Sequence, residues 1–333
     1  MRLDHAARLE RLLGRDSTIQ EVDGASGKGT LIRRDQLLVL GRDANGIHDQ
    51  ASRWVAGRED FEAAGLSVLH LRPSAKVNVC ELTTTLSGLT PHRTLNAGPN
   101  HVMMAAPHYE PGPFDDPAPI DSVPTPPAER TGQREATVAI LDTGIAEHPW
   151  FVNRKWFAAC DDVREIPDTN GDDRLDSIAG HGTFIAGVIL QQAPETTLVV
   201  DRIVEFDGVS DELALARSLA AFASHVERGG GPVDVVSLSL GCFTHDDKPS
   251  PILEHAINSV RHNTVIVACA GNANTDRPFW PAAMKRVIAV GSLDTDGHDR
   301  APFSNYGWWV DACTMGDKVV SSFFTFDGLG PEG

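Results

Sequence analysis

The sequence predicts a doubly wound α/β domain with a mostly parallel sheet, preceded by a small α+β domain. In residues 135–333, short apolar runs alternate with longer segments of helical pattern, as expected when helices cover both faces of a parallel sheet. Residues 110–133 contain seven prolines and almost no large apolar side chains. The first 110 residues are balanced in charge, so the net charge of -17 falls on the remainder. These observations divide the chain into residues 1–110, a proline-rich linker at 111–134 and a second domain at 135–333.

The first domain is predicted to begin with a short amphipathic helix whose apolar face carries Leu3, Leu9, Leu12 and Leu13. The run LIRRDQLLVLG has the apolar content of a strand. A helix is expected from Asp49 to Ala64, and its inward side chains would be Ala51, Trp54, Val55 and Phe61. SVLHLRP and NHVMMA are predicted strands, and VNVCELTTTLSGL between them is a helix or a strand. Together these elements make a small α+β unit.

In the second domain, strands and helices alternate along the chain. The strand TVAIL precedes the helix GTFIAGVILQQ, and the strand TLVVDRI precedes the helix DELALARSLAAFASHVERG. The strand VDVVSLSL is followed by the helix PILEHAINSVRHN, and the strands TVIVACAG and RVIAVGSL complete the series. VVSSFF, near residue 320, reads as one further short strand.

The bulk composition is that of an ordinary globular protein, with 41% hydrophobic and 23% charged residues. No run approaches about 18 consecutive apolar residues, which argues against a membrane as a partner. The negative net charge argues against nucleic acid, because phosphate would be repelled. The first residues are interrupted by charge and lack the apolar stretch of a secretory signal, and the five cysteines include no CxxC pair. We therefore expect a cytoplasmic protein, with another export route left open.

Three polar residues stand where the reactive groups of a doubly wound sheet collect, just beyond the carboxyl ends of its strands. Asp142 follows TVAIL, Asn272 follows TVIVACAG, and His181 opens the helix that begins GHGTFIAG. Each residue alone has an ordinary interpretation, because aspartate and asparagine often form turns and a histidine between glycines can mark a helix start. Their occurrence together, each within a distinctive motif, indicates one site.

Four motifs in these segments resemble, in family order, those of the subtilisin-like serine peptidases (subtilases, peptidase family S8). VAILDTGI is similar to the aspartate motif of that family, and GHGTFIAGVI is similar to its histidine motif. VVSLSLG resembles the strand and turn that line the substrate cleft, and VIVACAGNAN resembles the segment that carries the oxyanion asparagine. VIAVGSLD and FSNYG are similar to the stretches that precede the serine motif. The resemblance covers residues 136–323.

The resemblance implies a serine endopeptidase that hydrolyses peptide or protein substrates through an Asp-His-Ser triad and needs no cofactor for its chemistry. His181 would be the base, and Asp142 would orient and stabilise its imidazole. Asn272 would donate its side-chain amide to the oxyanion of the tetrahedral intermediate.

Two further expectations about binding follow from the same resemblance. An extended substrate would pair with the backbone of three consecutive residues, Ser239, Leu240 and Gly241. Residues 1–110 stand where subtilases carry a propeptide, so this domain would be an intramolecular inhibitor. The family also tends to carry a cis bond where this chain has Trp280–Pro281, and we expect a cis bond here.

The nucleophile of the family lies in a motif of the form G-T-S-x-A-x-P, and no GTS occurs in these 333 residues. Ser321 and Ser322 are poor substitutes, because no glycine creates a tight turn beside them. The expectation is that the chain stops short of its nucleophile and is a piece of a longer protein. As written, it would not hydrolyse peptides.

An acidic loop between the aspartate and histidine motifs, DTNGDDRLD, resembles a calcium loop. The residues at positions one, three, five and nine of that pattern are Asp168, Asn170, Asp172 and Asp176. Asp173 replaces the usual glycine and Ala179 the usual final glutamate. The pattern predicts structural calcium, with a solvated acidic turn as the alternative.

Other functions fit the sequence less well. DTG also marks aspartic peptidases, but those are β-rich and need a second such motif, which is absent from the sequence. GHGTFIAG as a dinucleotide loop lacks a strand leading into it, and SGKGT lacks the earlier glycine of a P-loop. The serious alternative is a non-catalytic, subtilase-like module that binds peptides. Such a module would not need to keep Asp142, His181 and Asn272.

Overall fold

The computed structural model describes residues 5–25, 27–75, 77–89, 96–105, 120, 124–127, 135–205, 208–227 and 231–328. Leu3 and most of the proline-rich linker lie outside these residues. The described chain forms two sheets of six strands each, and the second is parallel throughout. We call the part up to residue 105 the N-terminal domain and the part from residue 135 the parallel-sheet domain.

The N-terminal domain is built on an antiparallel sheet. Its helices are α1 (His5–Arg15), α2 (Ala44–Ala51) and α3 (Val79–Leu89), and its strands are β1 (Ile19–Asp23), β2 (Gly29–Leu40), β3 (Val55–Phe61), β4 (Leu66–Leu71) and β5 (Ala97–Met104). The order in the sheet is β3-β4-β2-β5, and β1 pairs with the other end of β2. The α+β class predicted for this region agrees with this architecture.

The helix expected from Asp49 to Ala64 is wrong. Helix α2 ends at Ala51, and the chain from Val55 to Phe61 is strand β3 instead. The first apolar side chains of this segment, Ala51, Trp54 and Val55, have helical spacing, which misled the sequence interpretation. Pairing with β4 overrides that local pattern, because it supplies backbone hydrogen-bond partners along β3.

The parallel-sheet domain contains strands β6 (Thr137–Asp142), β7 (Thr197–Arg202), β8 (Val209–Asp211), β9 (Val235–Leu238), β10 (Val265–Cys269), β11 (Val287–Leu293) and β12 (Ala312–Met315). Its helices are α4 (His181–Gln192), α5 (Glu212–Glu227) and α6 (Pro251–Ser259). The parallel sheet has the order β12-β11-β10-β9-β6-β7, whereas β8 pairs with β5 as the sixth strand of the antiparallel sheet. Helix α4 packs on one face, while α5 and α6 pack on the other. This is the doubly wound arrangement that the apolar strand runs predict.

Three details differ from the sequence prediction or confirm it. The strands β1, β8 and β12 were not predicted. VVSSFF is not a strand, because residues 319–324 have no ladder partner and lie as irregular chain. The peptide bond between Trp280 and Pro281 is cis, as predicted.

Within the described residues, no helix is long and apolar enough to cross a membrane.

One apolar core runs through both domains. On the N-terminal side it contains Leu38, Leu66 and Met103, and on the other side it contains Leu215, Leu219 and Leu253 of α5 and α6. The second face of the antiparallel sheet packs on α2 and α3. The N-terminal domain is therefore attached to the parallel-sheet domain by buried apolar surface as well as by the chain.

Candidate functional site

The centre of the site is a carboxylate and an imidazole in direct contact. Asp142 is the last residue of β6 and is 0% exposed, and His181 is the first residue of α4. The Oδ1 atom of Asp142 lies 2.8 Å from Nδ1 of His181 and accepts a second hydrogen bond, also of 2.8 Å, from the backbone N–H of Thr143. The other oxygen, Oδ2, is buried without a hydrogen-bond partner among the described residues.

Two glycines make this close approach of helix and strand feasible. Gly180 caps α4 with φ +86°, a conformation that a residue with a Cβ rarely adopts. A Cβ on Gly182 would overlap the carbonyl oxygen of Gly144, which follows β6. The sequence G-H-G thus lets α4 begin directly against the end of β6, with the imidazole of His181 beside Asp142.

The pKa of His181 is raised above its ordinary value. Burial alone would lower it, but the charge of Asp142, the hydrogen bond to that residue and the charge of Glu165 outweigh burial. The imidazolium form is therefore stabilised by two carboxylates, of which only Asp142 was identified from the sequence.

Glu165 is the residue near the site that sequence reasoning missed. Its Oε2 accepts a hydrogen bond of 3.0 Å from the hydroxyl of Thr143, the residue after Asp142. Burial raises the pKa of Glu165 to about 7. Nothing in the segment VREIP distinguishes this glutamate from a surface residue, since its position depends on how the chain folds back after residue 151.

Asn272 lies at the same edge of the sheet, after β10, which β9 separates from β6. The turn before it depends on Gly271, with φ +89°, and on the side chain of Asn305. Asn305 donates to the carbonyl of Ala270 at 2.7 Å and accepts from the N–H of Ala273 at 2.8 Å. Asn272 itself is half-buried, and among the described residues no hydrogen bond joins it to Asp142 or His181.

The predicted substrate-binding segment follows β9 and includes Gly241, which pairs with the N-terminal domain. The N–H of Met104 donates to the carbonyl of Gly241 at 2.8 Å, and the N–H of Gly241 donates to the carbonyl of Met104 at 3.1 Å. On its other edge, the end of β5 pairs antiparallel with β8. Of the other two predicted residues, Leu240 is buried and Ser239 is half-buried. An extended stretch ending at Met104 thus lies between β8 and the segment that contains Gly241.

Buried polar contacts also join the domains. His101 of β5 is 2% exposed, and its Nδ1 lies 2.7 Å from Oε1 of Glu212, which is 0% exposed. The other oxygen of Glu212 accepts from the hydroxyl of Ser250, the N-cap of α6. Burial and the neighbouring His101 lower the pKa of His245, whose ring stacks on that of His101. Arg277 adds one hydrogen bond to the hydroxyl of Thr30 in β2.

The hydroxyls near the end of the described chain face away from the imidazole. Ser321 donates to the carbonyl of Phe184, and Ser322 donates to the carbonyl of Thr183, both on α4. In the described part of the chain, no serine forms a hydrogen bond with Nε2 of His181. That ring nitrogen is the one that would face a nucleophile.

The acidic loop is closed by its own hydrogen bonds. Asp168 accepts from the backbone N–H groups of Gly171, Asp172 and Asp173, and Asp176 accepts from that of Thr169. Across the described ranges, no group of three or more His, Cys, Asp or Glu side chains is placed to hold a metal ion. Calcium binding by Asp168, Asn170, Asp172 and Asp176 therefore stays a prediction from the sequence pattern alone.

Comparison with known proteins adds an independent line of evidence. The model of the subtilase family matches residues 133–322. A thermophilic serine proteinase of Bacillus sp. (strain AK1) is 32% identical over 206 residues, which are 57% of this chain and 46% of that protein. Subtilisin BL of Lederbergia lenta is 31% identical over 196 residues, 56% of this chain and 65% of that protein. The chain thus spans about half to two thirds of the length of these relatives.

Among solved structures, fervidolysin from Fervidobacterium pennivorans, described as a keratinolytic enzyme related to subtilisin, has a similar fold. The TM-score is 0.54 at 16% identity, and the match covers 91% of this chain and 50% of that one. At this coverage, the likeness in fold extends to the N-terminal domain as well as to the parallel sheet.

Proposed function

This chain belongs to the subtilase family, and from that premise we propose that it carries the aspartate, the histidine and the oxyanion asparagine of a serine endopeptidase. The observation that carries the proposal is the 2.8 Å contact between Asp142 and His181 at the carboxyl edge of a parallel sheet. The serine proteinases among its relatives support the same reaction class.

In the proposed mechanism, Asp142 holds the Nδ1–H of His181, so that Nε2 is free to accept the proton of a serine hydroxyl. The serine oxygen then attacks the carbonyl carbon of the scissile peptide bond. His181 passes the proton to the leaving amine, and water completes the hydrolysis by the same route in reverse. The raised pKa of His181 supports this role, because the imidazolium formed during the reaction is stabilised.

Asn272 is assigned to the oxygen that becomes negative in the tetrahedral intermediate. Its position after β10 and its incomplete burial leave the side-chain amide available to a substrate. A preorganised donor of this kind acts on the transition state more than on the ground state.

The nucleophile is assigned to a serine outside these 333 residues, because the family motif G-T-S-x-A-x-P does not occur in them. Ser321 and Ser322 are both hydrogen-bonded to carbonyls of α4, which disfavours either as a substitute. The alternative function is peptide binding without hydrolysis, and it is supported by the same absence of the G-T-S-x-A-x-P motif from these residues. It is the weaker proposal because binding alone would not need a carboxylate buried against a histidine.

Peptide or protein substrates are expected to bind as an extended strand beside β8 and the segment Ser239–Leu240–Gly241. The end of β5 already occupies this position through Met104. We therefore also propose that the N-terminal domain is an intramolecular inhibitor that competes with substrate. The buried pairing of His101 with Glu212 supports a tight association.

The test is hydrolysis of an unstructured protein substrate by the full gene product that contains these residues. Asp142→Asn should lower turnover by about 10⁴. Asn272→Ala should lower it by about 10²–10³, the loss found for a single oxyanion donor in a subtilisin. Asn274→Gly, at a neighbouring exposed asparagine with φ 48° that glycine can adopt, is the matched control. Hydrolysis that survives Asp142→Asn unchanged, or a full gene product that binds but never cleaves peptides, would overturn the proposal.

A further inference from the structure

Glu165 reaches the site because the chain after β6 returns to it. The N–H of Ile145 donates to the carbonyl of Val163 at 3.1 Å, and the N–H of Glu165 donates to the carbonyl of Ile145 at 3.1 Å. These two bonds hold the segment of Glu165 alongside the three residues that follow Asp142. Ile145 and Arg164 thus form an isolated parallel bridge, which holds the backbone next to Glu165 in place.

The carboxylate of Glu165 is connected to the backbone on both sides of His181. It lies near the backbone N–H of Gly180, the residue before the histidine, and this N–H counteracts part of the rise in the pKa of Glu165. It also accepts from the hydroxyl of Thr143 at 3.0 Å, and the oxygen of that hydroxyl accepts from the N–H of Gly182 at 3.0 Å. Glu165 is therefore linked through one hydroxyl to a backbone donor in the first turn of α4.

We propose that Glu165 is a positioning residue for His181, which fixes the imidazole through Gly180 and Thr143 and adds a second negative charge behind Asp142. The inference rests on the proposed function, since it concerns the same histidine. Glu165 acts through these groups and does not touch a substrate. Its effect is to hold the ring in place and to favour the imidazolium that forms when His181 takes a proton.

The electrostatics agree with this geometry. The charge of Glu165 contributes to the raised pKa of His181, after the larger effects of burial and Asp142. Burial, with a smaller contribution from Asp142, raises the pKa of Glu165 to about 7, against the nearby N–H of Gly180, the hydrogen bond from Thr143 and the charge of His181. As pH rises through about 7, Glu165 loses its proton and its charge then supports the imidazolium.

Glu165 is not isolated from other charges. It lines an open cavity of about 780 Å³ on the sheet edge, and the further charged residues around that cavity are Asp176, Asp201, Arg202, Glu205 and Arg217. None of these contributes to the shift of His181, whereas Glu165 does. The cavity also gives Glu165 access to water, so its proton can exchange with solvent.

The test is an NMR titration of this chain, which needs no nucleophile. In the wild-type protein, the amide of Gly180 should respond to two protonation events, one from His181 and one from Glu165 near pH 7. In Glu165→Gln, the second event should disappear, and the midpoint for His181 should fall by on the order of half a unit or more. Glutamine keeps an oxygen that can accept from the hydroxyl of Thr143, so the fold should be retained.

Glu205→Gln is the matched control, because Glu205 is another acidic residue that lines the same cavity. It should leave the midpoint of His181 where it is. A wild-type Gly180 amide without a second event, or an unchanged His181 midpoint in Glu165→Gln, would overturn the proposal. Failure of the proposed peptidase function would leave both readouts as expected, so the two outcomes are distinguishable.

Discussion

Met104 and Gly241 exchange both of their backbone hydrogen bonds across the junction of the two domains, at 2.8 and 3.1 Å. Met104 ends a strand of the N-terminal domain, and Gly241 belongs to the segment predicted to bind substrate. The junction is therefore a sheet-like pairing next to the candidate site, and not a contact between remote surfaces. Its strength can be tested at single residues.

Met104→Pro removes the N–H that donates to Gly241, and proline within a strand also disturbs its neighbours. We expect the free energy of unfolding to fall by about 1–3 kcal/mol, and the amide of Gly241 to exchange faster with solvent. Denaturant unfolding and hydrogen exchange measure the two effects. Met104→Leu keeps the N–H and should behave as the wild type. Equal protection of Gly241 in both variants would contradict the pairing.

His101→Phe should destabilise the chain strongly, because Glu212 is fully buried and one of its carboxylate oxygens would lose its partner, Nδ1 of His101. Breaking a buried pair of this kind costs about 3–5 kcal/mol, and most of that cost is the uncompensated charge. The double variant His101→Phe/Glu212→Leu should therefore recover much of the loss. Urea unfolding of the wild type, both single variants and the double variant gives the coupling free energy. Additive losses would show that the two side chains act independently.

Glu165→Gln should stabilise the chain at alkaline pH. The pKa of Glu165 is raised to about 7 in the folded state, so this carboxyl favours folding when protonated and opposes it progressively as pH rises from about 4.5 to 7. Removal of the charge should raise the free energy of unfolding above pH 7 by a few kcal/mol at most, and change it little near pH 4. Thermal unfolding at pH 4, 6 and 8 measures the difference. A gain of equal size at all three pH values would refute the titration argument.

The sequence pattern of the acidic loop predicts that calcium raises the melting temperature, since an ion that binds only the folded state stabilises it. Asp168→Asn should abolish the increase, whereas Glu147→Gln, outside the loop, should preserve it. Asp168 already accepts hydrogen bonds from three backbone N–H groups of the loop. A melting temperature that does not respond to calcium would mean that these hydrogen bonds alone hold the loop.

The parallel sheet was predictable because its strands are apolar runs that need no partner to be identified. The strands β8 and β12 could not be predicted in this way. Strand β8 has only three residues and pairs with β5, and β12 has only four residues, all of them exposed. The sequence predicts a helix for residues 55–61 because the apolar side chains at the start of this segment have helical spacing. Pairing with β4 makes these residues a strand instead. Elements whose identity depends on a partner strand are those that the linear pattern leaves out.

The same division holds for the site. Asp142 and His181 lie in motifs next to a strand end and a helix start, so their meeting could be expected from sequence. The place of Glu165 at the site could not be expected from sequence. It depends on a return of the chain to β6, which is held by backbone hydrogen bonds of Ile145 with Val163 and with Glu165. The sequence predicts that the backbone of Gly241 pairs with an extended substrate. In the structure, Gly241 pairs with Met104 of the N-terminal domain.

The continuous core and the pairing of β5 with β8 have a consequence for the connection between residues 105 and 135. Since buried surface fixes the two domains against each other, we expect the length of this connection to affect stability mainly through the entropy of closing a loop. That entropy depends on the logarithm of loop length, so doubling the number of residues costs only about 0.6 kcal/mol. Insertions there, such as an affinity tag or a protease recognition sequence, should be tolerated far better than a single substitution at His101.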